Sequence, residues 1–511
     1  MRELHYMNKI HLHFTNSPQT SALILGALSA LSFAPLYFLP AIFISVWGLL
    51  HLLDETQNPR QLFERLYAFG FGFFTTGLYW IGFSFRTIDM GWVGVPAVLG
   101  LSAGLALFFV INGLFILSFA PRSIERRTAF AVGFAICEWL RGHILTGLPW
   151  NLVGSIWGAY TWPYLNDIGL SILQITAWIG IYGLSFLTIL AVVLITSTHR
   201  LCRIIALTGI IVLAIFGGMR LMRTPTKLSP INLRLIQPSL DQRLKWLPSS
   251  FERNIELQLG LSSLEAERPL SAIIWPEAAI TTFLSESLEL REILSSIAPK
   301  NGYIITGTPR REDGKIFTTL SVINENGEIP YHYKKTHLVP FGEYVPFRDL
   351  LPMQKITPGA VDFTKGDGVK TLNVPGIPPF SPLICYEALF PGEVTDKTAG
   401  AKRPEWLLNI TNDAWYGLSA GPYQHLALVR LRAIEEGLPL VRVANNGVSA
   451  VIDPCGRVLH KLSLDDIGFI DFELPKALAA TTYSRMKEGF FWLLIAMAFT
   501  GAVVLRQRQK R

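Results

Sequence analysis

Long apolar runs separated by short polar segments fill the first part of the chain, up to about residue 222. Each run approaches the ~20 residues that a helix needs to cross the hydrocarbon core of a bilayer. We predict spans at 21–37, 40–53, 66–85, 93–119, 128–140, 168–196, 203–221 and, near the end of the chain, 489–505. Buried core helices rarely occur in so long a series, and the pattern therefore predicts a multi-span α-helical membrane domain.

The pattern changes between Pro225 and Pro230, where the chain becomes polar and then alternates short apolar strands with helices. Strands are predicted at 233–236, 272–275, 303–306, 317–324, 406–410, 441–444, 450–453 and 468–472, and helices at 250–265, 285–297 and 423–436. This alternation predicts a layered α/β domain. We divide the chain into a membrane domain over 1–225, an α/β domain over 226–480, and a membrane helix with a basic tail over 481–511.

Lys and Arg are unevenly distributed among the segments between these spans. Cytoplasmic loops carry the excess of both residues, which places the amino terminus, with Arg2 and Lys9, in the cytoplasm. The loops on the same side then carry Arg60, Arg65, Arg122, Arg126, Arg127, Arg200 and Arg203, and the tail carries Arg506, Arg508, Lys510 and Arg511. The α/β domain is therefore expected to face away from the cytoplasm.

Composition supports a membrane protein and limits its partners. Half of the residues are hydrophobic, 16% are charged and the mean hydropathy is +0.36, which is too apolar for an ordinary soluble enzyme. Much of the net charge of +7 comes from the Lys and Arg residues that orient the spans. Because no basic helix or aromatic stacking platform accompanies this charge, we expect no nucleic-acid partner.

Three reactive side chains follow short apolar strands in the α/β region. Glu277 ends the run SAIIWPE, Lys335 lies in YKKTHLVPFGE, and Cys385 follows PLI just before a predicted helix start. A carboxylate, an amine and a thiol at strand ends can act as a base, an electrostatic stabiliser and a nucleophile. Together they are the parts of an acyl-transfer site that forms a thioester.

Each of these residues also has a purely structural alternative. Glu277 could cap a helix, Lys335 could lie on the surface beside Lys334, and Cys385 could form a disulfide with Cys455 in an oxidising compartment. Cys455 lies in the predicted hairpin turn DPCG on another pair of strands, and the chain has no disulfide-rich framework. The joint occurrence of the three groups favours a free, nucleophilic Cys385.

The order and context of Glu277, Lys335 and Cys385 resemble the Glu-Lys-Cys triad of the carbon-nitrogen hydrolase (nitrilase) superfamily. The runs HLVPFGEYVP at 337–346, NITNDAWYG at 409–417 and EWLR at 138–141 are similar to those of the bacterial apolipoprotein N-acyltransferases. This resemblance covers the chain from about residue 20 to its end. It implies that the α/β domain is a nitrilase-like four-layer α-β-β-α sandwich attached to the membrane domain.

The resemblance also assigns roles to residues of the site. It implies that Glu277 takes the thiol proton, that Cys385 carries the acyl group, and that Lys335 lowers the thiol pKa and stabilises the oxyanion. Supporting positions are the backbone N–H of Tyr386 as a second oxyanion donor, and Glu343 and Glu387 as orienting carboxylates. Trp246 and Trp415 are candidates for substrate contact, with ordinary core packing as the alternative. The histidines His337 and His425 are interpreted as structural.

The activity that the resemblance implies is transfer of an acyl chain from a membrane phospholipid to the amino-terminal cysteine of a diacylated apolipoprotein. We expect no cofactor and no metal, a monomer, and a multi-pass protein of the bacterial inner membrane with its catalytic domain on the periplasmic side. Trp150, Trp157 and Trp162 in the exported loop 143–164 suit a membrane interface. Two alternatives stay open, a membrane-tethered amidase or nitrilase that uses water as acceptor, and a transporter or scaffold without catalysis.

Overall fold

The computed structural model describes residues 17–158, 163–346, 355 and 361–509. Arg2, Lys9, Trp162, Lys510 and Arg511, on which parts of the topology prediction depend, lie outside the described residues. Helices of the first domain are α1 (Pro18–Ser29), α2 (Pro40–Asp54), α3 (Pro59–Gly77), α4 (Gly91–Ile116), α5 (Ile124–His143), α6 (Pro163–Leu173), α7 (Thr176–Ile195) and α8 (Arg200–Arg223).

Within the described chain, four helices are long and apolar enough to cross a membrane: α4, α7, α8 and, after the α/β domain, α14 (Gly489–Gln509). The spans predicted at 21–37, 66–85 and 168–196 are interrupted in the structure. The first stops at Ser29 and passes through 3-10 and turn residues, because the prolines at 35 and 40 cannot continue a helix. The third is broken between Leu173 and Thr176, where the buried Gln174 donates to the carbonyl of Cys455 at 2.9 Å.

The break after α3 turns the chain toward the α/β domain. Helix α3 ends at Gly77, and the 3-10 segment Tyr79–Ile88 follows instead of a continued span. The indole N–H of Trp80 lies within hydrogen-bonding distance of the carbonyl oxygen of Gly77, at 3.2 Å, and of Gln424 Oε1, at 3.1 Å. Trp80 therefore pairs with a polar group of the other domain, a contact that the apolar sequence pattern alone does not reveal.

Two sheets form the α/β domain. The first has the order β11-β1-β2-β3-β4-β5 and the second β10-β9-β8-β7-β6. Their strands are β1 (Leu228–Gln237), β2 (Ala272–Ile274), β3 (Tyr303–Glu312), β4 (Lys315–Asn324), β5 (Tyr331–Lys334), β6 (Phe380–Ile384), β7 (Trp406–Thr411), β8 (Leu440–Ala444), β9 (Ser449–Ile452), β10 (Val458–Leu462) and β11 (Gly468–Pro475). Parallel pairing of β2 with β3, of β6 with β7, and of β7 with β8 brings the candidate site to the carboxyl ends of these strands.

The sheets and helices stack in four layers, which confirms the predicted α-β-β-α sandwich. Leu235, Ile274 and Leu408 belong to one apolar core between the two sheets. A second core joins the first sheet to α10 (Phe251–Ser262) and α11 (Leu288–Ile297). Helix α12 (Gly421–Glu436) covers the second sheet. The short helices α9 (Gln242–Lys245) and α13 (Thr482–Met486) complete the described domain.

Helix α12 lies between the second sheet and the membrane helices, and every residue of it except Tyr423 is buried. Its apolar side chains share one core with residues of α7 and of the strands β7 to β9. Helix α7 is kinked at Gly180, which has φ 66° and ψ 179°. The carboxylate of Glu435 accepts a hydrogen bond from the N–H of Ile181 at 2.9 Å, just after the kink. The two domains are therefore joined through a common interior.

Candidate active site

The three residues of the predicted triad meet at one end of the sandwich. Glu277 follows β2, Lys335 follows β5 and Cys385 follows β6, as the sequence pattern predicted. Lys335 Nζ donates to Glu277 Oε1 at 3.2 Å. The charges of Glu277 and Lys335 both act on the pKa of the Cys385 thiol. Base, cation and thiol therefore form one cluster, and all three residues are buried.

Lys335 lies between two carboxylates. Its ammonium group donates to Glu343 at 3.0 Å as well as to Glu277. Burial alone would lower the pKa of Lys335, but the charges of Glu277 and Glu343 raise it above its usual value. Glu343 is held in turn by the backbone N–H of Val339 at 2.8 Å and by the hydroxyl of Thr318 at 3.3 Å. Lys335 is thus a fixed cation in contact with Glu343, whose supporting role stays a prediction.

Glu277 has the electrostatic properties of a proton acceptor. Burial raises its pKa, and the neighbouring Glu343 adds to the rise, while Lys335 opposes it. The backbone N–H of Asn412 donates to Glu277 Oε2 at 2.9 Å, and this bond orients the carboxylate. Lys245 Nζ donates to the backbone carbonyl of Glu277 at 3.0 Å, a contact that the sequence analysis missed because nothing distinguishes Lys245 from a surface lysine.

Cys385 occupies an unusual backbone conformation. It begins the 3-10 helix Cys385–Leu389 with φ 53°, in the left-handed region that residues with a Cβ atom rarely adopt. The side-chain amide of Asn409 donates to the carbonyl oxygens of Leu383 at 3.1 Å and of Cys385 at 3.3 Å. These bonds hold the turn, so that the sulfur is presented at the strand end. Cys385 and Cys455 are both free cysteines, so the structure contains no bridge between them.

Burial is the main cause of a raised pKa at the Cys385 thiol, and the carboxylate of Glu277 raises it further. Lys335 lowers the pKa, in the predicted direction, but burial outweighs it. The net rise favours the neutral thiol over the thiolate, which is the strongly nucleophilic form of a cysteine.

Glu387 ties the lysine segment to the cysteine turn. Its Oε1 atom accepts hydrogen bonds from the backbone N–H groups of Thr336 at 2.5 Å and His337 at 3.1 Å, and from the hydroxyl of Tyr333 at 2.8 Å. Its Oε2 atom accepts from the N–H of Ile384 at 2.7 Å. The carboxylate thus bonds the backbone directly after Lys335 and directly before Cys385, and its orienting role stays a prediction.

Tyr386 fastens the site to the membrane domain. Its hydroxyl donates to the carbonyl of Gly147 at 2.8 Å, and the ring of His337 lies 2.8 Å, at Nε2, from the carbonyl of Thr146. The loop that carries both carbonyls is held by Arg141, which donates to the carbonyl of Leu148 at 2.6 Å. The proposed oxyanion role of the Tyr386 N–H stays a prediction.

Trp246 and Trp415 flank the site without a settled role. Trp246 is half-buried directly after α9, and its indole nitrogen has no hydrogen-bond partner among the described residues. Trp415 is half-buried, and its carbonyl accepts a hydrogen bond from the Ser84 hydroxyl at 3.1 Å. Both tryptophans therefore lie where the α/β domain approaches the membrane domain. Contact with substrate stays a prediction for both.

A cavity of about 660 Å³ opens beside the lysine segment, between the two domains. Its walls combine His143 and Leu145 of the membrane domain with His337, Lys365 and Phe390 of the α/β domain. Leu145 is 88% exposed at this place. The lining includes Thr336, the residue directly after Lys335, but not Glu277, Lys335 or Cys385 themselves.

Two family models match this chain. Residues 233–483 match the carbon-nitrogen hydrolase model, and residues 25–194 match the model of the apolipoprotein N-acyltransferase N-terminal domain. The apolipoprotein N-acyltransferase of Rickettsia prowazekii is 37% identical over 93% of this chain and 96% of its own length. That of Rhodopseudomonas palustris is 39% identical over 95% of each chain. This chain belongs to the apolipoprotein N-acyltransferase family.

Membership of the apolipoprotein N-acyltransferase family makes the chain a membrane-embedded acyltransferase with a carbon-nitrogen hydrolase domain. Among solved structures, the chain is similar to a cysteine-to-alanine variant of an amidase of the nitrilase superfamily from Nesterenkonia AN1, with 19% identity and a TM-score of 0.38. That match covers 52% of this chain and 97% of the amidase. A CN-hydrolase superfamily protein from Xanthomonas campestris is similar at 19% identity over 53% of this chain and 97% of its own, with a TM-score of 0.36.

Proposed function

We propose that the protein transfers an acyl chain from a membrane phospholipid to the free α-amine of the diacylglyceryl-cysteine at the amino terminus of apolipoproteins. The acyl chain passes through a thioester on Cys385. The proposal is supported above all by one arrangement, a buried thiol beside the pair Glu277–Lys335 in a domain that shares its interior with membrane helices. Both relatives are named apolipoprotein N-acyltransferase, and this name supports an apolipoprotein as the acyl acceptor.

The first half-reaction acylates the enzyme. Glu277 takes the proton of the Cys385 thiol while the sulfur attacks the ester carbonyl carbon of the phospholipid. The oxyanion that forms faces the Lys335 cation, which needs no rearrangement because it is already fixed by two carboxylates. The C–O bond then breaks, the proton passes from Glu277 to the departing alkoxide, and a lysophospholipid leaves.

The second half-reaction discharges the thioester to an amine. The free α-amine of the acceptor attacks the thioester carbonyl, the C–S bond breaks, and the proton lost from nitrogen returns to the sulfur through Glu277. A buried site keeps water away from the acyl-enzyme. A long-lived thioester and a requirement for an amine therefore distinguish this transferase from an amidase or nitrilase that hydrolyses its acyl-enzyme.

Mass spectrometry of the intact protein tests both half-reactions. With phospholipid alone, we expect an acyl adduct on Cys385 and release of about one equivalent of lysophospholipid, followed by a stall. A diacylglyceryl-cysteine peptide with a free amino terminus should then discharge the adduct and become N-acylated. The same peptide with an acetylated amine is the matched control and should leave the adduct in place. Repeated turnover to free fatty acid without peptide would establish the hydrolase instead.

We further propose that the protein acts as a monomer in the bacterial inner membrane with its α/β domain in the periplasm. The uneven distribution of Lys and Arg supports this orientation. In intact spheroplasts, a membrane-impermeant maleimide should label a Lys397→Cys variant, since Lys397 is exposed on the α/β domain. Cys202, at the start of α8, should react only after the membrane is permeabilised. Labelling of Cys202 from outside would reverse the topology.

A further inference from the structure

The end of strand β7 contacts both the base and the nucleophile. Asn409 donates to the carbonyl of Cys385 at 3.3 Å, and the N–H of Asn412 donates to Glu277 at 2.9 Å. Thr411 lies between these two residues in the chain and is fully buried. One short segment therefore sets the position of the sulfur relative to the carboxylate that takes its proton.

A buried charge cluster fixes this segment from behind. Asp413 Oδ2 accepts a hydrogen bond from Arg442 of β8, and Asp413 Oδ1 lies 2.9 Å from Nδ1 of His425 on α12. Arg442 also donates to Asn409 Oδ1 at 2.6 Å. The side chains of Asp413, His425 and Arg442 are fully buried. Arg442 and His425 are therefore partners of Asp413 that do not depend on Thr411.

The hydroxyl of Thr411 lies between this cluster and the nucleophile. Its Oγ1 atom donates to Asp413 Oδ1 at 3.1 Å. Strands β6 and β7 pair in parallel as far as Ile384 and Ile410, the residues directly before Cys385 and Thr411. A hydrogen bond from the Thr411 side chain opposes the rise in the pKa of the Cys385 thiol. One rotatable proton thus has two acceptors within reach, the carboxylate and the sulfur.

We propose that Thr411 is a switchable donor: its hydroxyl donates to Asp413 while Cys385 is a thiol and rotates to donate to the sulfur when the thiolate forms. The inference rests on the proposed role of Cys385 as the nucleophile. Thr411 keeps its own proton throughout, while the thiol proton goes to Glu277. Rotation of a hydroxyl hydrogen moves no heavy atom, so the switch needs no rearrangement of the packed interior.

Asp413 makes this switch workable because Arg442 and His425 satisfy it when Thr411 turns away. A donor that always pointed at the sulfur would also have to donate to the neutral thiol, which is a weak hydrogen-bond acceptor. A donor that is stored on a carboxylate and released when charge develops acts mainly on the charged state. Thr411 is therefore assigned as a catalytic residue that contacts the reacting sulfur, and Asp413 as the positioning residue that stores its hydrogen bond.

Several other charges face the sulfur and must be kept constant in a test. The groups that act electrostatically with the Cys385 thiol are Glu277, Lys335, Asp413, Tyr386 and Tyr416, with Glu343 beside Lys335 and with Arg442 and His425 behind Asp413. Substitution of Thr411 alone leaves every one of these groups in place. A difference between Thr411 variants then reports the hydroxyl.

The test uses the full-length protein with Cys137, Cys202 and Cys455 replaced by alanine, so that Cys385 is the single thiol. Thr411→Val removes the hydroxyl at nearly constant shape, and Thr411→Ser retains it. We measure the rate of alkylation of Cys385 by iodoacetamide as a function of pH. Thr411→Val should be slower than the parent at neutral pH by roughly ten- to a hundredfold, the range for loss of a hydrogen bond to a charged group, and its profile should move to higher pH. Thr411→Ser should stay within about threefold of the parent.

A second readout covers the case in which the reagent does not reach the sulfur. The rate of thioester formation from phospholipid in a single turnover should show the same order of variants and the same displacement of the pH profile. Superimposable profiles of the parent and Thr411→Val would overturn the proposal, as would equal losses in Thr411→Val and Thr411→Ser. Failure of the proposed function is seen separately, because transfer would then persist in Cys385→Ala.

Discussion

Two buried charge clusters lie near the cysteine turn, and they differ in how well their charges are balanced. In the cluster around Lys335, one cation faces the two carboxylates of Glu277 and Glu343. In the cluster around Asp413, one carboxylate faces the Arg442 guanidinium and the His425 ring. Burial disfavours the charged carboxylate in both places.

The outcome for the carboxylates is opposite. At Glu277, burial and the neighbouring Glu343 raise the pKa despite Lys335. At Asp413, burial also acts to raise the pKa, but Arg442 and His425 outweigh it and hold the pKa well below its usual range. An undercompensated carboxylate accepts a proton readily, whereas a fully compensated one stays ionised and holds its partners. We therefore call Glu277, Lys335 and Glu343 the proposed reactive cluster. We call Asp413, Arg442 and His425 the supporting cluster.

The largest effect should follow from neutralising the undercompensated carboxylate. Glu277→Gln keeps the shape of the side chain but cannot take the thiol proton. Thioester formation should fall by roughly 10²–10⁴, the usual contribution of a general base. Single-turnover mass spectrometry with phospholipid measures the rate of thioester formation. Glu277→Asp, which retains a carboxylate, is the matched control. Normal accumulation of the thioester in Glu277→Gln would move the base to another residue.

Removing the cation of the reactive cluster should cost somewhat less. Lys335→Met leaves Glu277 and Glu343 facing each other and removes the positive charge from the oxyanion position. The rate of thioester formation should fall by at least roughly 10²–10³, the range for one oxyanion donor. The pH profile of the residual activity should also shift upward, since Lys335 lowers the pKa of the thiol. A loss seen only in KM, with kcat unchanged, would contradict this assignment.

Removing the cation of the supporting cluster should act on stability. Arg442→Met removes the guanidinium that faces Asp413. The buried charge of Asp413 then keeps His425 and the Thr411 hydroxyl as partners. Loss of one partner of a buried ion pair typically costs ~3–5 kcal/mol of unfolding free energy. The unfolding temperature in detergent should therefore fall in Arg442→Met and stay near the parent value in Arg253→Met, a substitution at an exposed position of α10. Equal stability of the two variants would remove the distinction between the clusters.

The smallest effect concerns Glu435, another buried carboxylate, which lies on α12 beside the kink of α7. Burial raises its pKa to about 7, from an ordinary value of ~4.3. Because the folded protein then holds this proton more tightly than the unfolded chain, the contribution to stability is full below about pH 4 and is lost as the pH rises to about 7. Glu435→Gln should remove this component of the pH dependence of thermal unfolding. An unchanged slope between these pH values would show that another group is responsible.

The sequence predicted the reactive cluster because its members lie at strand ends within distinctive runs. Glu277, Lys335 and Cys385 each follow an apolar strand, and the structure places all three as expected. The supporting cluster was missed. Asp413 lies within one of the runs that carry the family resemblance, but Arg442 lies inside a strand of otherwise apolar residues, where the pattern gives no hint of a buried partner.

Hydropathy was equally incomplete for the membrane domain. It located the apolar segments but ran through Gln174, Gly180 and the segment after Gly77 without a change of pattern. At all three places the continuous helix gives way to a break or kink, with polar contacts across to the α/β domain at Gln174, Trp80 and Ile181. A property that depends on a partner distant in the chain has no local signature. Most strands and helices of the α/β domain do have a local signature and were predicted, although β10 was missed. The four-layer arrangement of the domain was implied by the family resemblance and not by the period of apolar residues.

Helix α12 has no face directed to solvent, since one side covers the second sheet and the other packs on α7. A hydrolase domain of this kind is therefore not a detachable module. Cut from its membrane helices at residues 226 and 480, it would expose the side of α12 that carries apolar residues together with Arg430 and Glu435, whose partners Gly158 and Ile181 belong to the membrane domain. We expect an isolated domain to need substitutions on that side of α12 to stay in solution.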